Sequence, residues 1–256
     1  MPQTILITGS TDGIGLLTAK LLAAEGHNVL LHGRNAAKLD AAASAVGHNA
    51  QTYLGDFSRL ADVEAVAAAI RARHDRLDVL INNAGVLKTP DPVAENGLDV
   101  RFVVNTLAPY KLTRLLLPIV PSNGRIINLS SAAQASVDLA ALAGKRSLGD
   151  MEAYSQSKRA IALWSGTLAQ ELANGPAVIA VNPGSLLASK MVNEGFGVAG
   201  NDLRIGAELL VRIATSDSFD GASGRYYDND RGSFAGLDRI QATSVTSAID
   251  DLLAAA

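Results

Sequence analysis

The sequence predicts an α/β protein built as one doubly wound parallel sheet with helices on both faces. Three observations lead there. Strand-like runs alternate with helix-like runs from Thr4 to Val181, the pattern of parallel strands joined by crossover helices. A glycine-rich turn separates the first strand from the first helix. No Pro/Ser-rich linker or shift in composition interrupts the 256 residues. Residues 1–256 are therefore expected to form a single nucleotide-binding domain whose C-terminal part covers the substrate side.

Residues 4-TILIT-8 are short, apolar and β-branched, and read as a buried strand. The turn 8-TGSTDGIG-15 follows it. Next, 14-IGLLTAKLLAAEG-26 carries helix formers, an apolar stripe and Gly26 as a C-terminal stop. Glycines between a strand and a helix are the context a nucleotide-binding loop requires. Gly9 permits the tight turn, Gly13 lets backbone approach a pyrophosphate, and Gly15 lets the helix pack close to the sheet. Free amides at the helix N-terminus then face the phosphates. Gly9, Ser10, Thr11, Asp12, Gly13, Ile14 and Gly15 are thus expected to bind the cofactor. The second strand, 28-NVLLH-32, runs into Gly33-Arg34-Asn35 with no acid at its end. An acid there would bind the adenine ribose hydroxyls, whereas an arginine accommodates a 2′-phosphate. Gly33 is expected to leave space and Arg34 to bring charge, so NADP(H) is favoured over NAD(H). His32 is expected to pack the strand end and to take no catalytic part.

The third strand region is 53-YLGDF-57, and 61-ADVEAVAAAIRAR-73 is an amphipathic helix. The fourth strand, 79-VLI-81, turns through 82-NNAG-85, where Asn82 is expected to be structural. Asn105 stands in the apolar helical run 98-LDVRFVVNTLAPYKLTRLLL-117. An asparagine there has below-average helix propensity and competes for backbone groups. The strand 125-RIINL-129 leads to Ser130 and Ser131. The run 154-YSQSKRAIALWSGTLAQEL-172 has helical periodicity, so Tyr154 and Lys158 share one face. A last strand, 177-AVIAV-181, ends at Asn182-Pro183-Gly184. Beyond it, 190-KMVNEGFGVAGND-202 has three glycines and no strong periodicity, as expected of a mobile loop over the substrate. The segment 224-GRYYDNDRGSF-234 reads as a strand and a polar turn, and suggests no role.

Composition excludes several function classes. A net charge of −3, with no basic patch interleaved with aromatics, argues against nucleic acid or an anionic membrane as partner. No apolar run approaches the length of a membrane span. The chain has no cysteine, which removes disulfides and thiolate catalysis. His27, His32, His48 and His74 lack ligand spacing, so no metal site is expected. The first strand starts almost at residue 1, leaving no room for a signal peptide, and the expected location is cytoplasmic.

Taken in order, the glycine turn, 82-NNAG-85, Asn105, Ser131 and the Tyr154/Lys158 pair resemble the short-chain dehydrogenase/reductase family, from about Thr4 to Ser189. The resemblance implies a Rossmann-like fold and a nicotinamide cofactor. It implies that Asp56 and Phe57 lie near the adenine, and Asn83, Ala84 and Gly85 against the cofactor. It places Pro183 and Gly184 beside the nicotinamide and Leu186 at its carboxamide or ring. Ser189 stands where the family often has a threonine, as a candidate contact. Asn105, Ser131, Tyr154 and Lys158 map onto the family's catalytic tetrad, with Ser130 as the rival to Ser131. In that tetrad Asn105 disturbs its helix and holds a water leading to Lys158, which also holds the nicotinamide ribose. The stretch 132-AAQASVDLAALAGKRSLGDMEA-153 makes the distance from Ser131 to Tyr154 longer than is usual. Similar insertions occur in the branch resembling retinol dehydrogenases and protochlorophyllide reductases. The insertion flanks the pocket and leaves substrate and quaternary structure open; family members commonly pair as homodimers or homotetramers through the helices carrying Asn105 and Tyr154.

The expected activity is hydride transfer between NADP(H) and a small-molecule carbonyl or alcohol, with Tyr154 as general acid and base. Free tyrosine titrates near ~10, and roughly three units of lowering, or ~4 kcal/mol, bring it to neutrality. A close cation supplies about 1–3 units, so Lys158 is expected to need the oxidised nicotinamide as a second positive charge. The alternative is a catalytically silent NADP(H)-binding sensor or scaffold. Leu87, Val137, Leu139, Leu186, Met191 and Phe196 suggest a partly apolar substrate pocket, with core packing as the alternative for the same residues.

Overall fold

Ile5, Leu6 and Ile7 are wholly buried although side chains on a strand alternate in direction. Only a strand covered on both faces allows this, and it is the mark of a sheet between two helix layers. In the computed structural model, which describes residues 1–188 and 190–255 apart from the side chains of Lys190, Glu194 and Phe196, that strand is β1 (Thr4–Ile7). It is followed by α1 (Gly13–Ala24), β2 (Asn28–Gly33), α2 (Ala36–Val46), β3 (Ala50–Leu54), α3 (Leu60–Arg71) and β4 (Val79–Asn82). The second half runs through α4 (Val100–Phe102), a π-helical turn (Val103–Leu107), α5 (Ala108–Leu116) and β5 (Arg125–Leu129). Then come α6 (Leu139–Leu142), α7 (Asp150–Glu171), β6 (Ala177–Asn182), α8 (Lys190–Phe196) and α9 (Leu203–Thr215). The hairpin β7 (Tyr226–Asp228) and β8 (Ser233–Ala235) and the helix α10 (Arg239–Ala254) close the chain.

The eight strands lie in the order β3-β2-β1-β4-β5-β6-β7-β8. All neighbours are parallel except β7 and β8. Strand order reverses between β1 and β4, and a crevice opens there beyond the strand C-termini, where open α/β sheets bind ligands. Strand alternation sorts the core into two layers. Leu6, Leu30, Leu80, Ile126 and Val178 face α3, α5, α7 and α10. Ile5, Ile7, Val29, Leu31, Ile81, Ile127 and Ile179 face α1, α2 and α9.

Three segments depart from the sequence expectation. The run 98–117 is not one helix, because a π turn interrupts it around Asn105. Helix α7 starts at Asp150 and so absorbs the end of the insertion, whose middle forms α6 under an Asp138 cap accepting from Ala140 N at 2.8 Å. The segment expected as a mobile loop contains α8, too short for helical periodicity to show in its sequence. Helix α10 packs along α7 and reaches α5, where Tyr110 Oη donates to Asp250 Oδ1 at 2.6 Å. Among the described residues no helix is long and apolar enough to cross a membrane.

Candidate active site

The glycine turn is held by its neighbours' backbone. Asp12 caps α1, accepting from Gly13 N at 2.7 Å. The Thr8 hydroxyl accepts from Asn83 N and Ala84 N, both at 3.0 Å. Asn83 Nδ2 in turn donates to Thr8 O at 2.8 Å and Gly9 O at 3.0 Å. These bonds draw the 82-NNAG-85 segment so close that a Cβ on Gly15 would stand 2.5 Å from Asn83 Nδ2 and 2.6 Å from Gly9 O. Only glycine fits there.

His32 completes this side, and sequence reasoning undervalued it. Gly9 N donates to its Nδ1 at 3.2 Å, and its Nε2 lies 3.1 Å from Gly55 O. Both partners are satisfied only when Nε2 carries the proton and the ring is neutral. Burial enforces that state, lowering the His32 pKa to about 4. The ring also stacks on Phe57 at 3.8 Å between centroids. One imidazole thus joins the glycine turn to the segment after β3. A polar ring ending an otherwise apolar strand was the signal available in the sequence.

Two expectations for this side change. Ser10 is fully buried, and its hydroxyl accepts from His32 N at 3.0 Å, so it braces β2 and does not line the cleft. The space expected at Gly33 is filled by Thr11, whose Cγ2 would lie 2.4 Å from a Cβ there.

A cleft of about 320 Å³ runs along the strand ends. Gly9, Thr11, Asp12, Gly13, Ile14, Gly15, Arg34, Asp56, Phe57, Asn83, Ala84 and Gly85 line it at one end. Tyr154, Lys158 and Pro183 line the other, with Ser130, the rival to Ser131, and Met191, expected at the substrate pocket; Val86, Val104 and Leu129 join them and were not singled out in the sequence. Arg34 has no ion-pair partner among the described residues. The Asp56 carboxylate accepts from Ser58 N at 3.0 Å and Ser58 Oγ at 2.9 Å.

Tyr154 and Lys158 both face this cleft from α7 and are 8% and 4% exposed. Lys158 Nζ lies 5.8 Å from the Tyr154 ring centroid and donates to Leu129 O at 2.9 Å. The Ser131 side chain stands beside the Tyr154 phenol and pulls its pKa down, while Ser131 Oγ accepts from Ala133 N at 3.1 Å; Ser130, not Ser131, lines the cleft. Ser130 Oγ is committed elsewhere, donating to Lys158 O at 2.6 Å. Burial pushes the Tyr154 phenol above its ordinary range, against the pull of Ser131. The expected lowering by Lys158 is therefore not a property of the protein alone, since desolvation is the larger effect. Burial also lowers Lys158 itself, to about 8.

Asn105 is buried at the centre of the π turn, a feature that inserts an extra residue and recurs at functional sites. Its Nδ2 donates to Val86 O at 2.9 Å and Ser157 Oγ at 3.0 Å, and its Oδ1 accepts from Val86 N at 2.8 Å. A Cβ on Gly85 would meet Lys158 Nζ at 3.2 Å and Asn105 Oδ1 at 3.3 Å. Gly85 therefore keeps the space between the ammonium and the amide open.

On the substrate side, Leu87 is buried beneath α8, where a Cβ on Gly195 would stand 2.7 Å from its Cδ2. Val137 belongs to the core, while Leu139 and Leu186 are 41% and 44% exposed. Leu186 has a left-handed backbone (φ 50) and does not line the cleft, and neither does Gly184. Ser189 and the Phe196 side chain lie outside the described residues. Arg101, unremarked in the sequence, is almost wholly buried and pairs with Asp99 at 2.7 Å and with Asp150 at the start of α7. Among the described residues no cluster of His, Cys, Asp or Glu suits a metal ion.

Comparison with known proteins gives a consistent result. The short chain dehydrogenase family model matches residues 3–196. Human retinol dehydrogenase 13 is 32% identical over 251 residues, covering 88% of this chain and 76% of its own. A short chain dehydrogenase of Escherichia coli CFT073, solved in complex with NADPH, is 27% identical with a TM-score of 0.73 and covers 89% of this chain and 96% of its own. An uncharacterized protein of Mycobacterium paratuberculosis superimposes over 98% of this chain and 95% of its own, with a TM-score of 0.82 and 26% identity.

Proposed function

The chain belongs to the short-chain dehydrogenase family and is an oxidoreductase, and from that premise we propose that it transfers hydride between NADP(H) and the carbonyl or alcohol group of a small molecule. The residues present fit a dinucleotide. Gly9, Gly13 and Gly15 line the cleft beside the α1 N-terminus, and Gly85 holds open the approach to Lys158. Arg34 suits a 2′-phosphate, since it lines the cleft with no acid paired to it. The NADPH complex of the Escherichia coli relative supports the same choice, and the name of the human relative supports an alcohol or its carbonyl as substrate.

The cofactor, when bound, supplies or accepts the hydride. Tyr154 holds the proton for the substrate oxygen; its raised pKa keeps it a proton donor at neutral pH. Ser131, beside that hydroxyl, orients the same oxygen and offsets charge as it develops. Lys158 supplies positive charge next to the phenol, and Leu129 O fixes its direction. Asn105 Oδ1, on the open side of Gly85, is placed to receive a water that replenishes the proton.

The observation that carries this reading is the Tyr154 phenol with Lys158 Nζ 5.8 Å from its ring centroid, both facing the far end of the glycine-lined cleft. Loss of NADPH absorbance with a panel of aldehydes, ketones and quinones tests it. Tyr154→Phe should lower turnover about 10²–10⁴-fold at saturating cofactor. Undiminished turnover in that variant, or cofactor binding without turnover of any substrate by the wild type, would overturn the proposal.

A further inference from the structure

The segment 224–234 had no role legible in the sequence, and the fold supplies one. Strand β7 extends the sheet beside β6 with Tyr226 opposite Ala180 and Asp228 opposite Asn182. That register brings the hairpin turn level with the segment that leaves β6. Tyr226 is 6% exposed, and its hydroxyl donates to Ser131 O at 2.9 Å. The same carbonyl accepts from Gln134 Nε2 at 2.9 Å. Both lone pairs of the Ser131 carbonyl are therefore engaged, and Ala133 N donates to its hydroxyl at 3.1 Å, which fixes Ser131 beside the Tyr154 phenol. Burial raises the Tyr226 phenol well above its ordinary range, so it stays a donor throughout the physiological range.

The turn of the same hairpin grips the other neighbour of the reacting centre. The Asp230 carboxylate accepts from Ser185 N at 2.9 Å, from Asn182 Nδ2 at 2.9 Å and from the Ser185 hydroxyl. Burial pushes this carboxyl up, but the hydrogen bonds outweigh it and hold the group below its ordinary range, so it is ionised at neutral pH. Asn229 Nδ2 donates to Pro183 O at 2.9 Å. Pro183 lines the cleft.

We propose that the β7–β8 hairpin is a positioning element of the active site: Tyr226 sets the direction of the Ser131 hydroxyl through its carbonyl, and Asp230 with Asn229 sets the Pro183–Ser185 turn against the cofactor. This rests on the role given to Ser131 under the proposed function. The two arms act on different steps. Ser131 acts on the substrate oxygen, so losing Tyr226 should appear in kcat. The Pro183–Ser185 turn flanks the cofactor, so losing Asp230 should appear in cofactor KM.

Tyr226→Phe should lower kcat about 3–10-fold, the effect of one hydrogen bond, and leave cofactor KM unchanged. In a Ser131→Ala background the same substitution should have no further effect, because a residue that works through Ser131 has nothing left to orient. Asp230→Ala should raise cofactor KM about 10-fold, and Asp230→Asn, which keeps one acceptor oxygen, should restore part of it. If Ser131→Ala lowers kcat and Tyr226→Phe multiplies that loss undiminished, the positioning role is overturned while the proposed function stands. If Ser131→Ala itself leaves kcat intact, the reading of the site fails and this inference falls with it. Should Tyr226→Phe fail to fold, an unchanged cofactor KM in Asp230→Ala still overturns the proposal.

Discussion

The two sides of the cleft are held together by different means. On the β1–β4 side, segments meet so closely that glycine is obligatory, and the bonds run between backbone groups and the side chains of Thr8, Ser10, Asp12, His32 and Asn83. On the β5–β7 side the bonds run between side chains and scattered partners: Tyr226 to Ser131 O, Asp230 to Ser185, Ser130 to Lys158 O, and Arg101 to Asp150 at the start of α7. The first side is a contact between rigid surfaces that leaves no volume for change. The second is an arrangement of separable hydrogen bonds beside exposed apolar side chains such as Leu139, Met151 and Leu186. Such an arrangement suits a constant ligand on one side and a family-variable substrate on the other, because loops positioned by a scaffold can change without disturbing it.

Three experiments break or sharpen this contrast. The largest effect belongs to the close-packed side. Gly15→Val would drive a side chain into Asn83 and the Gly9 carbonyl. Overpacking by about 3 kcal/mol should weaken NADPH binding about 100-fold by calorimetry. Wild-type affinity in that variant would remove the distinction between the two sides. Next comes Arg34→Ala, which takes away one charge-assisted contact at the rim. NADPH should bind about 10–100-fold more weakly, and NADH unchanged. Equal losses for both cofactors would show that Arg34 does not read the 2′-phosphate.

The last effect is read in stability, not in binding, and concerns the charge buried between the two sides. Lys158 has a folded pKa of about 8 against an ordinary 10.5. The unfolded chain therefore binds more protons between those values, and stability rises with pH across that window. The gain amounts to roughly 3 kcal/mol at most when the window is crossed, and it is lost again as pH falls to 8. Lys158→Met has no such group. The difference in melting temperature between wild type and Lys158→Met should move in favour of the wild type from pH 8 to 10.5; a flat difference would show that burial does not discharge this lysine.

Much of this was legible from residue order. The strand 125–129 was read to its observed limits, and the alternation of strands and helices led to the parallel sheet. The glycine turn was legible because its chemistry is local: spacing between a strand and a helix is enough to expose amides. Propensity marked Asn105 as out of place in an apolar run, and the family resemblance turned that into a helix disturbance. The particular disturbance, a π turn bonded to Val86 and Ser157, was not legible, since it depends on a partner helix. Helix α8 escaped because two turns are too few to show a period. His32 and Arg101 escaped because a lone polar residue in an apolar run looks like packing until its partners are known. Leu186 was assigned to the cofactor by position in the chain, yet its left-handed backbone turns it outward.

Residue order by itself determined the fold class, the glycine turn between β1 and α1 and the shared helical face of Tyr154 and Lys158, because each depends on neighbours within a few residues. Only the tertiary structure decided which serine meets the phenol, which way its pKa moves and what braces the site from β7. Those outcomes depend on burial and on bonds between residues far apart in the chain, such as Tyr226 to Ser131, and no local pattern carries that information.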